Sequence, residues 1–349
     1  MASSRSLLWK PWAIRLRLSL CLILFLSSPR SGPAAAETAA AERRLVAMGT
    51  TLDLRVEASD RPAALRASEE AVAEIFRIEN LLSTWKPGGA LDRLNRSNPG
   101  ERVAVGREAA NLLADLEAWS ARTDGAFDPT VLPLVRAWGL RGEGRIPSDL
   151  ERRSAIAAVG TRHFRIDRET GEAARLSLAA GIDEGAWGKG YALDAAAARL
   201  KKAGVREALL DLGGQLLVLG HRDVSVADPS NRVRAAASLS LTDASLSTSG
   251  NSERGRTVRG RRVGHLLNPR SGRPAPDFGS ATAIAPSGLV ADILSTAFFV
   301  LGPAKGLILS ERLRRAGFPN EALFLIDRGD RIDGRSSPGL RFQLEGLSR

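Results

Sequence analysis

The chain has 349 residues, a net charge of +11 at pH 7, 44% hydrophobic residues and one cysteine. A chain of this length and composition can bury a large core, in one domain or in two closely packed halves. The lone Cys21 excludes an intramolecular disulfide framework and a cysteine-based zinc site. Basic and acidic residues are interspersed rather than grouped in blocks, so we expect no nucleic-acid partner despite the positive charge.

The first 36 residues have the composition of a secretory signal peptide. Basic residues precede a mostly apolar run at positions 18–26, and alanines follow at positions 34–36. The run is shorter than the roughly 20 residues that span a bilayer. We therefore expect cleavage after Ala36 and an exported, periplasmic protein, with an uncleaved amphipathic anchor as the alternative. Residues 37–44 are predicted to be a flexible segment before one domain at 45–345.

Hydrophobic spacing in the remaining chain predicts helices and strands in mixed order. The predicted elements are a strand at 43–57, helices at 61–83 and 108–123 with a continuation at 134–139, a helix at 192–203, a strand with a Gly-Gly break within 205–218, strands at 235–241 and 280–285, helices at 292–301 and 304–316, and a strand at 322–326. Strands and helices do not alternate strictly, which favours a mixed α/β or α+β fold.

Two turns that follow predicted helices carry residues of chemical interest. Trp85 ends the first helix, where it is either a packing residue or a flat surface against which a ring system rests. In the second turn, Gly125 permits close approach of the backbone, and Asp128 is held in an extended conformation by Pro129. That turn is either a binding loop or a simple connection between helix and strand.

A glycine-rich stretch at 181–191 contains four glycines, the acids Asp183 and Glu184, and Lys189, and it leads into a predicted helix. Glycine-rich turns before helices present backbone N–H groups to phosphates, and a lysine adds positive charge. The stretch matches neither a Walker loop nor the dinucleotide-binding glycine pattern. An anion-binding loop is one interpretation, and a structural turn is the other.

Two further segments contain candidate catalytic and metal-binding residues. His265 lies beside a turn rich in Pro and Gly, where it is either a catalytic or a structural residue. Asp292, Ser295 and Thr296 share one face at the start of an otherwise apolar helix. Asp292 could serve only as a partner of the helix dipole, but a carboxylate with two hydroxyls is also a set of hard oxygen ligands that suits Mg²⁺.

Taken in order, these segments resemble the FAD:protein FMN transferase (ApbE) family. The matching pieces are residues 48–50, 83–87, 125–131, 183–191, 212–214, 248–250, 265–272 and 291–296. The resemblance implies an FAD site formed by Met48, Trp85, Ala126, Phe127, Asp128, Asp183, Lys189 and Leu266. It implies a Mg²⁺ site formed by the Ala186 backbone, Asp292, Ser295 and Thr296. It also implies a mixed α/β domain with the flavin in a cleft between two lobes.

The resemblance further implies Mg²⁺-dependent transfer of FMN from FAD to a Thr or Ser hydroxyl of an exported or membrane flavoprotein, with release of AMP. His265 and Asp292 match the residues nearest the reacting pyrophosphate. An FAD pyrophosphatase and a non-catalytic flavin-binding maturation factor for a redox complex remain alternatives. Glu184 and Trp187 depart from the family pattern, which usually has apolar residues at both positions, and Asn268 stands where Asp is common.

Overall fold

The computed structural model describes residues 39–345 except 253, 254 and 259, so the predicted signal peptide lies outside the described residues. The helices are α1 (Arg61–Leu82), α2 (Ala90–Arg96), α3 (Arg107–Arg122), α4 (Leu132–Ala137), α5 (Asp149–Ala157), α6 (Gly188–Lys202) and α7 (Gly288–Arg315), with a 3₁₀ turn at Thr161–His163. The strands are β1 (Ala39–Ala47), β2 (Thr50–Ala58), β3 (Val103–Ala104), β4 (Phe164–Asp167), β5 (Glu172–Arg175), β6 (Glu207–Leu212), β7 (Gln215–Leu219), β8 (His221–Ala227), β9 (Ala235–Thr242), β10 (Ser245–Gly250), β11 (Arg256–Val258), β12 (Arg261–Val263), β13 (Leu267–Asn268), β14 (Arg273–Pro274), β15 (Gly279–Ala285), β16 (Glu321–Asp327), β17 (Ile332–Ser336) and β18 (Gln343–Leu344).

An antiparallel sheet of eight strands forms the centre of the fold, in the order β1-β2-β6-β7-β10-β15-β16-β17. Helices α1, α6 and α7 cover one face of this sheet. Leu52, Leu54 and Val56 alternate along β2 and are buried under these helices, because successive side chains of a strand point to opposite faces. The predicted mixed α/β fold is confirmed.

A second, smaller sheet of order β18-β9-β8 covers the other face. Strand β16 contributes to both cores. Ala322 and Phe324 pack in the core under the helices, whereas Leu323 and Leu325 pack against the small sheet. Both faces of the central strands are therefore buried, which explains why β16 has an uninterrupted apolar sequence rather than an alternating one.

Helix α7 joins two segments that the sequence predicts as separate helices. The junction is at Gly302, whose φ of 74° interrupts the helix, and at Pro303, which lacks the N–H of a regular turn. The helix is long and apolar enough to span a membrane. Its first half is instead packed on β10 and β15 as part of the main core.

The predictions for the N-terminal part of the domain require correction. The predicted strand at 43–57 is a hairpin of β1 and β2, with Met48 and Gly49 at positive φ values of 49° and 72° in a two-residue turn. The predicted flexible segment at 37–44 is wrong from Ala39 onward, since β1 begins there and pairs with β2. Likewise, the interrupted strand at 205–218 is the hairpin β6–β7, which turns at Gly213 and Gly214.

Candidate active site

The loop that enters α6 is fixed in place by an asparagine on α2. The side chain of Asn95 accepts a hydrogen bond from Ile182 N at 2.8 Å and donates one to Ile182 O at 2.9 Å. The next amide, Asp183 N, donates to Pro129 O at 2.9 Å. The structure therefore places the two predicted binding segments, at 125–131 and 183–191, side by side.

Asp292 lies at the centre of a buried polar group where α7, α6 and β10 meet. Its Oδ2 accepts a hydrogen bond from Gly190 N at 3.1 Å, and its Oδ1 accepts one from Ser247 Oγ at 3.3 Å. Ser295 Oγ lies 3.0 Å from Ser249 Oγ, and Thr296 Oγ1 lies 3.4 Å from the same atom. The Asp292 cluster is defined here as Gly190, Ser247, Ser249, Asp292, Ser295 and Thr296.

The local sequence explains why these groups converge. Ser247 and Ser249 are two residues apart on β10, so both face α7, whereas Thr248 points away and contacts Thr282. Asp292, Ser295 and Thr296 fall on one face of α7, as their spacing predicts. Five polar side chains thus form a hydroxyl-rich site at the start of an apolar helix.

The ends of α6 and α7 approach each other at two glycines. A Cβ on Gly190 would lie 2.1 Å from Gly288 O, so only glycine allows the two backbones to meet there. Asp194, one turn further along α6, accepts hydrogen bonds from Gly288 N at 2.5 Å and Leu289 N at 2.9 Å. Burial raises the pKa of this carboxyl above its usual value. These contacts fix the start of α7, and with it the position of Asp292.

The oxygen atoms of the Asp292 cluster suit a hard cation, of the kind that also binds phosphate groups. Among the described residues, no group of three or more His, Cys, Asp or Glu side chains is placed to hold a metal. A cation here would be held by one carboxylate, hydroxyls and a backbone carbonyl, which suits Mg²⁺ because Mg²⁺ is commonly bound by one or two carboxylates and substrate phosphates. The predicted carbonyl ligand, Ala186, lies in the turn just before α6, two residues ahead of Gly188, where the helix begins.

A second polar group surrounds Arg141, at the other end of the 183–190 stretch. Arg141 Nη2 donates to Asp183 Oδ2 at 2.6 Å, and Arg141 Nη1 donates to Thr84 O at 2.9 Å. The guanidinium carbon lies 4.5 Å from the centroid of the Trp85 ring. Glu184 accepts hydrogen bonds from the Thr84 amide at 3.1 Å and from the Thr84 hydroxyl. The Arg141 cluster is defined here as Thr84, Trp85, Arg141, Asp183 and Glu184.

Two carboxyls near the site have raised pKa values. Burial, and then the neighbouring charge of Asp183, raises the pKa of Glu184. Burial also raises the pKa of Asp128, although the hydroxyl and amide of Thr130 donate to it at 2.6 and 2.8 Å and oppose that shift. Both carboxyls are therefore harder to ionise than exposed ones.

The other predicted FAD contacts lie around these two clusters. Met48 reaches α6, since its methyl carbon is 3.5 Å from the position of a Cβ on Gly188. Ala126 and Phe127 are buried in the main core, so any contact of theirs with a ligand has to involve the backbone. Lys189 lies near Asp211. Burial raises the pKa of the Asp211 carboxyl, and the positive charge of Lys189 partly opposes that rise.

The segment that contains His265 lies beside the end of β10. A Cβ on Gly264 would be 2.7 Å from Asn251 Oδ1, and Asn251 follows Ser249 by two residues. Leu266, on the other side of His265, packs against the main core. The predicted catalytic histidine therefore directly follows Gly264, which lies against Asn251, one residue beyond the end of the strand that carries Ser247 and Ser249.

Three residues of the site are not among the candidates that the sequence singles out. Arg141 lies in a glycine-rich turn without a recognisable pattern, and Asn95 lies in an ordinary amphipathic helix. Ser247 carries a weak signal, since it precedes the matching piece at 248–250 and shares a strand face with Ser249. Their roles depend on contacts between distant parts of the chain, which residue spacing does not reveal.

Comparison with known proteins gives consistent matches. A sequence profile of the ApbE family matches residues 48–318. The chain is 32% identical over 292 residues to the FAD:protein FMN transferase of Salmonella typhimurium (strain LT2), covering 80% of this chain and 82% of that protein. It is 29% identical over 336 residues to the Escherichia coli (strain K12) protein of the same name, covering 91% and 94%.

Solved structures agree with these sequence matches. The ApbE protein of Thermotoga maritima superposes with a TM-score of 0.78 at 28% identity, covering 86% of this chain and 97% of that one. The flavinyl transferase ApbE of Pseudomonas stutzeri gives a TM-score of 0.73 at 29% identity, covering 86% and 95%. Sequence and fold therefore match the same group of proteins over most of the chain.

Proposed function

The chain belongs to the ApbE family, and on that premise we propose that it is an FAD:protein FMN transferase that uses Mg²⁺. FMN would pass from FAD to a threonine or serine hydroxyl of another protein, and AMP would be released. The names of the matched relatives support flavin transfer. The observation that carries the proposal is the Asp292 cluster, where a carboxylate and four hydroxyls meet beside the start of α6.

The chemistry of the proposed reaction suits this set of residues. The oxygen of the acceptor hydroxyl forms a bond to the phosphorus of the FMN half, the bond from that phosphorus to the bridging oxygen breaks, and AMP leaves with the electron pair. Such a reaction depends mainly on positioning and on neutralising negative charge. Bound Mg²⁺ would supply that neutralisation on the pyrophosphate oxygens.

The residues of the chain would hold the reactants and move one proton. Asp292, Ser295, Thr296 and the Ala186 carbonyl would hold the cation. His265 would take the proton of the acceptor hydroxyl, because binding to a cation lowers the basicity of the Asp292 carboxylate. Trp85 is 63% exposed as a residue, and its ring would contact an aromatic ring of FAD.

The acceptor and the location of the reaction belong to the same proposal. The N-terminal sequence supports an exported, periplasmic enzyme, and an exported enzyme requires an acceptor in the same compartment. We therefore propose an exported or membrane-bound flavoprotein of an electron-transfer system as the acceptor. The substrates would be FAD and the acceptor flavoprotein, and no nucleic acid would take part.

The test is flavinylation by the purified mature chain with FAD, Mg²⁺ and exported flavoproteins whose genes lie near its own. We expect a covalent fluorescent flavin on the acceptor in a denaturing gel and an equal amount of AMP. Asp292→Asn should lower the rate by at least about 100-fold, since the cation loses its carboxylate. Ser295→Ala should also lower it.

A serine elsewhere on α7 provides the control for Ser295. Ser310 is equally buried and bonds to Asn320 Oδ1 at 2.7 Å, far along the helix from Asp292. Ser310→Ala should affect stability but leave the rate of transfer nearly unchanged. Undiminished flavinylation by Asp292→Asn would contradict the proposal. Free FMN and AMP without a labelled acceptor would instead identify water as the acceptor.

A further inference from the structure

Arg141 joins two segments of the site that are distant in sequence. Through Thr84 O it holds the turn after α1, and through Asp183 Oδ2 it holds the loop before α6. Glu184 adds a direct link between the same segments, since it accepts from the Thr84 amide at 3.1 Å. The turn that carries Trp85 is thus attached to the 183–190 stretch by several hydrogen bonds.

The charges of the Arg141 cluster depend on one another. The side chains of Asp183 and Glu184 are 15% and 11% exposed, and Arg141 Nη2 lies 2.6 and 3.9 Å from their carboxylate oxygens. Two neighbouring carboxylates with little access to water need a cation between them. Arginine meets this need because it stays charged and presents several donors in one plane.

The same guanidinium supports the Trp85 ring. Its carbon lies 4.5 Å from the ring centroid, within the range of a cation–π contact. The rest of the ring is largely exposed, at 63% of the residue surface. An exposed indole on a flexible turn would adopt many orientations, whereas an indole held against a fixed guanidinium presents its surface in one orientation.

We propose that Arg141 is a positioning residue for the dinucleotide: it orients Trp85 as a stacking surface for an aromatic ring of FAD and ties that surface to the Asp183 loop. This inference rests on the proposed function, because it assumes that FAD is the ligand. Arg141 acts through Trp85 and Asp183 and takes no part in the chemical step. Its loss should therefore weaken FAD binding more than it slows catalysis.

The test is a double-mutant cycle of Arg141→Met and Trp85→Leu, read as KM for FAD and kcat in the flavinylation assay. We expect each single variant to raise KM about tenfold and the double variant to raise it by little more. We expect kcat to change less than about threefold, because no group that touches the reacting atoms is altered. Additive effects on KM, or a loss confined to kcat, would overturn the proposal.

Arg145 offers a matched control four residues along the same turn. It forms an exposed ion pair with Glu151, so Arg145→Met should leave KM within about twofold of the unmodified enzyme. Arg141→Lys covers the case in which Arg141→Met does not fold. Lysine keeps the charge near Asp183 but lacks the planar group that lies against the indole. Arg141→Lys should therefore raise KM in the enzyme that keeps Trp85 but add little to the KM of Trp85→Leu, and a further increase in that background would overturn the proposal.

The outcomes for this inference and for the proposed function are distinguishable. If the unmodified chain transfers no flavin and FAD does not bind to it, the proposed function fails. If the unmodified chain transfers flavin normally and Arg141→Met leaves KM unchanged, only the positioning role fails.

Discussion

Glu184 lies where the stability of the fold and the organisation of the site have opposing requirements. Its carboxylate holds the Thr84 amide and hydroxyl, so it helps to place Trp85. The same carboxylate is nearly buried beside Asp183, and one guanidinium serves both acids. Burial and this like charge disfavour its ionised form, so the contact with Thr84 is kept at a cost to stability.

Replacement of Glu184 by Gln should stabilise the protein increasingly as the pH rises. The pKa of Glu184 is raised above its ordinary value of 4.5 in the folded chain. Below that value both folded and unfolded states bind the proton, and above it the folded state binds more protons, so the unmodified protein loses stability. The melting temperature of Glu184→Gln minus that of the unmodified protein should therefore be larger at about pH 7.5 than at about pH 4.5.

Glu151 gives a control of opposite sign. Hydrogen bonds from Ser148 and Arg145 lower the pKa of this exposed carboxyl to about 2. The ionised Glu151 contributes to stability at pH values above the pKa that this carboxyl has in the unfolded chain. That contribution is lost as the pH falls towards its folded pKa of about 2. Glu151→Gln should therefore be less stable than the unmodified protein near neutral pH, and the gap should close in acid. A constant difference for Glu184→Gln across the same range would contradict the assignment.

At the scale of elements, the sequence predicts α1, α3, α4, α6 and α7, but it misses β10 of the central sheet and misplaces the start of α6. The glycines at 188 and 190 suggest a loop because glycine is a poor helix former. The helix nevertheless begins at Gly188, and Gly190 in its first turn leaves room for Gly288 rather than ending the helix. The β1–β2 hairpin is missed because its turn has a weak sequence signal. Met48 is an unusual residue at a positive φ, and Met-Gly is not a common turn pair.

Gly190→Ala should disrupt both the packing of α6 on α7 and the reaction. The added Cβ would meet Gly288 O at 2.1 Å, and relief of that clash would move the amide that donates to Asp292. We expect a loss of about 2–4 kcal/mol in the free energy of unfolding, measured by urea denaturation, and at least a tenfold lower rate of flavin transfer.

Gly142→Ala is the control for this change. The nearest atom to a Cβ on Gly142 is Gly139 O at 3.7 Å, an ordinary van der Waals distance. This variant should stay within about 0.5 kcal/mol of the unmodified protein. Native stability and activity in Gly190→Ala would show that α6 and α7 can separate without harm, contrary to the structure.

At the scale of the whole molecule, the candidate site combines residues from position 48 to position 296. The resemblance to the ApbE family is confirmed, and it names the residues through motifs that are each local in sequence. The meeting of β10 with α7, and of Arg141 with Asp183, depends on sheet order and on loops that spacing alone does not fix. The sequence therefore predicts which segments matter, and the structure shows which of them touch.

A site assembled from so many elements should stabilise the whole fold when it is occupied. FAD with Mg²⁺ at about 100 times its dissociation constant should raise the free energy of unfolding by about 2.7 kcal/mol. Removal of Mg²⁺ with EDTA should reduce the increase in melting temperature, measured by circular dichroism. Asp292→Asn should show the smaller increase with or without Mg²⁺. An equal response of the unmodified protein in both conditions would contradict a role for the cation in binding.

The contact between Gly190 and Gly288 also bears on which parts of the proposed transferase are able to change. Two backbones that touch directly have no rotamers to exchange, so this end of the site has a single shape. Under the proposed function, residues that recognise an acceptor protein would lie outside this contact, on surfaces that do not hold FAD. Substitutions at such peripheral positions would then change the choice of acceptor, whereas a side chain at Gly190 or Gly288 would disturb the site itself.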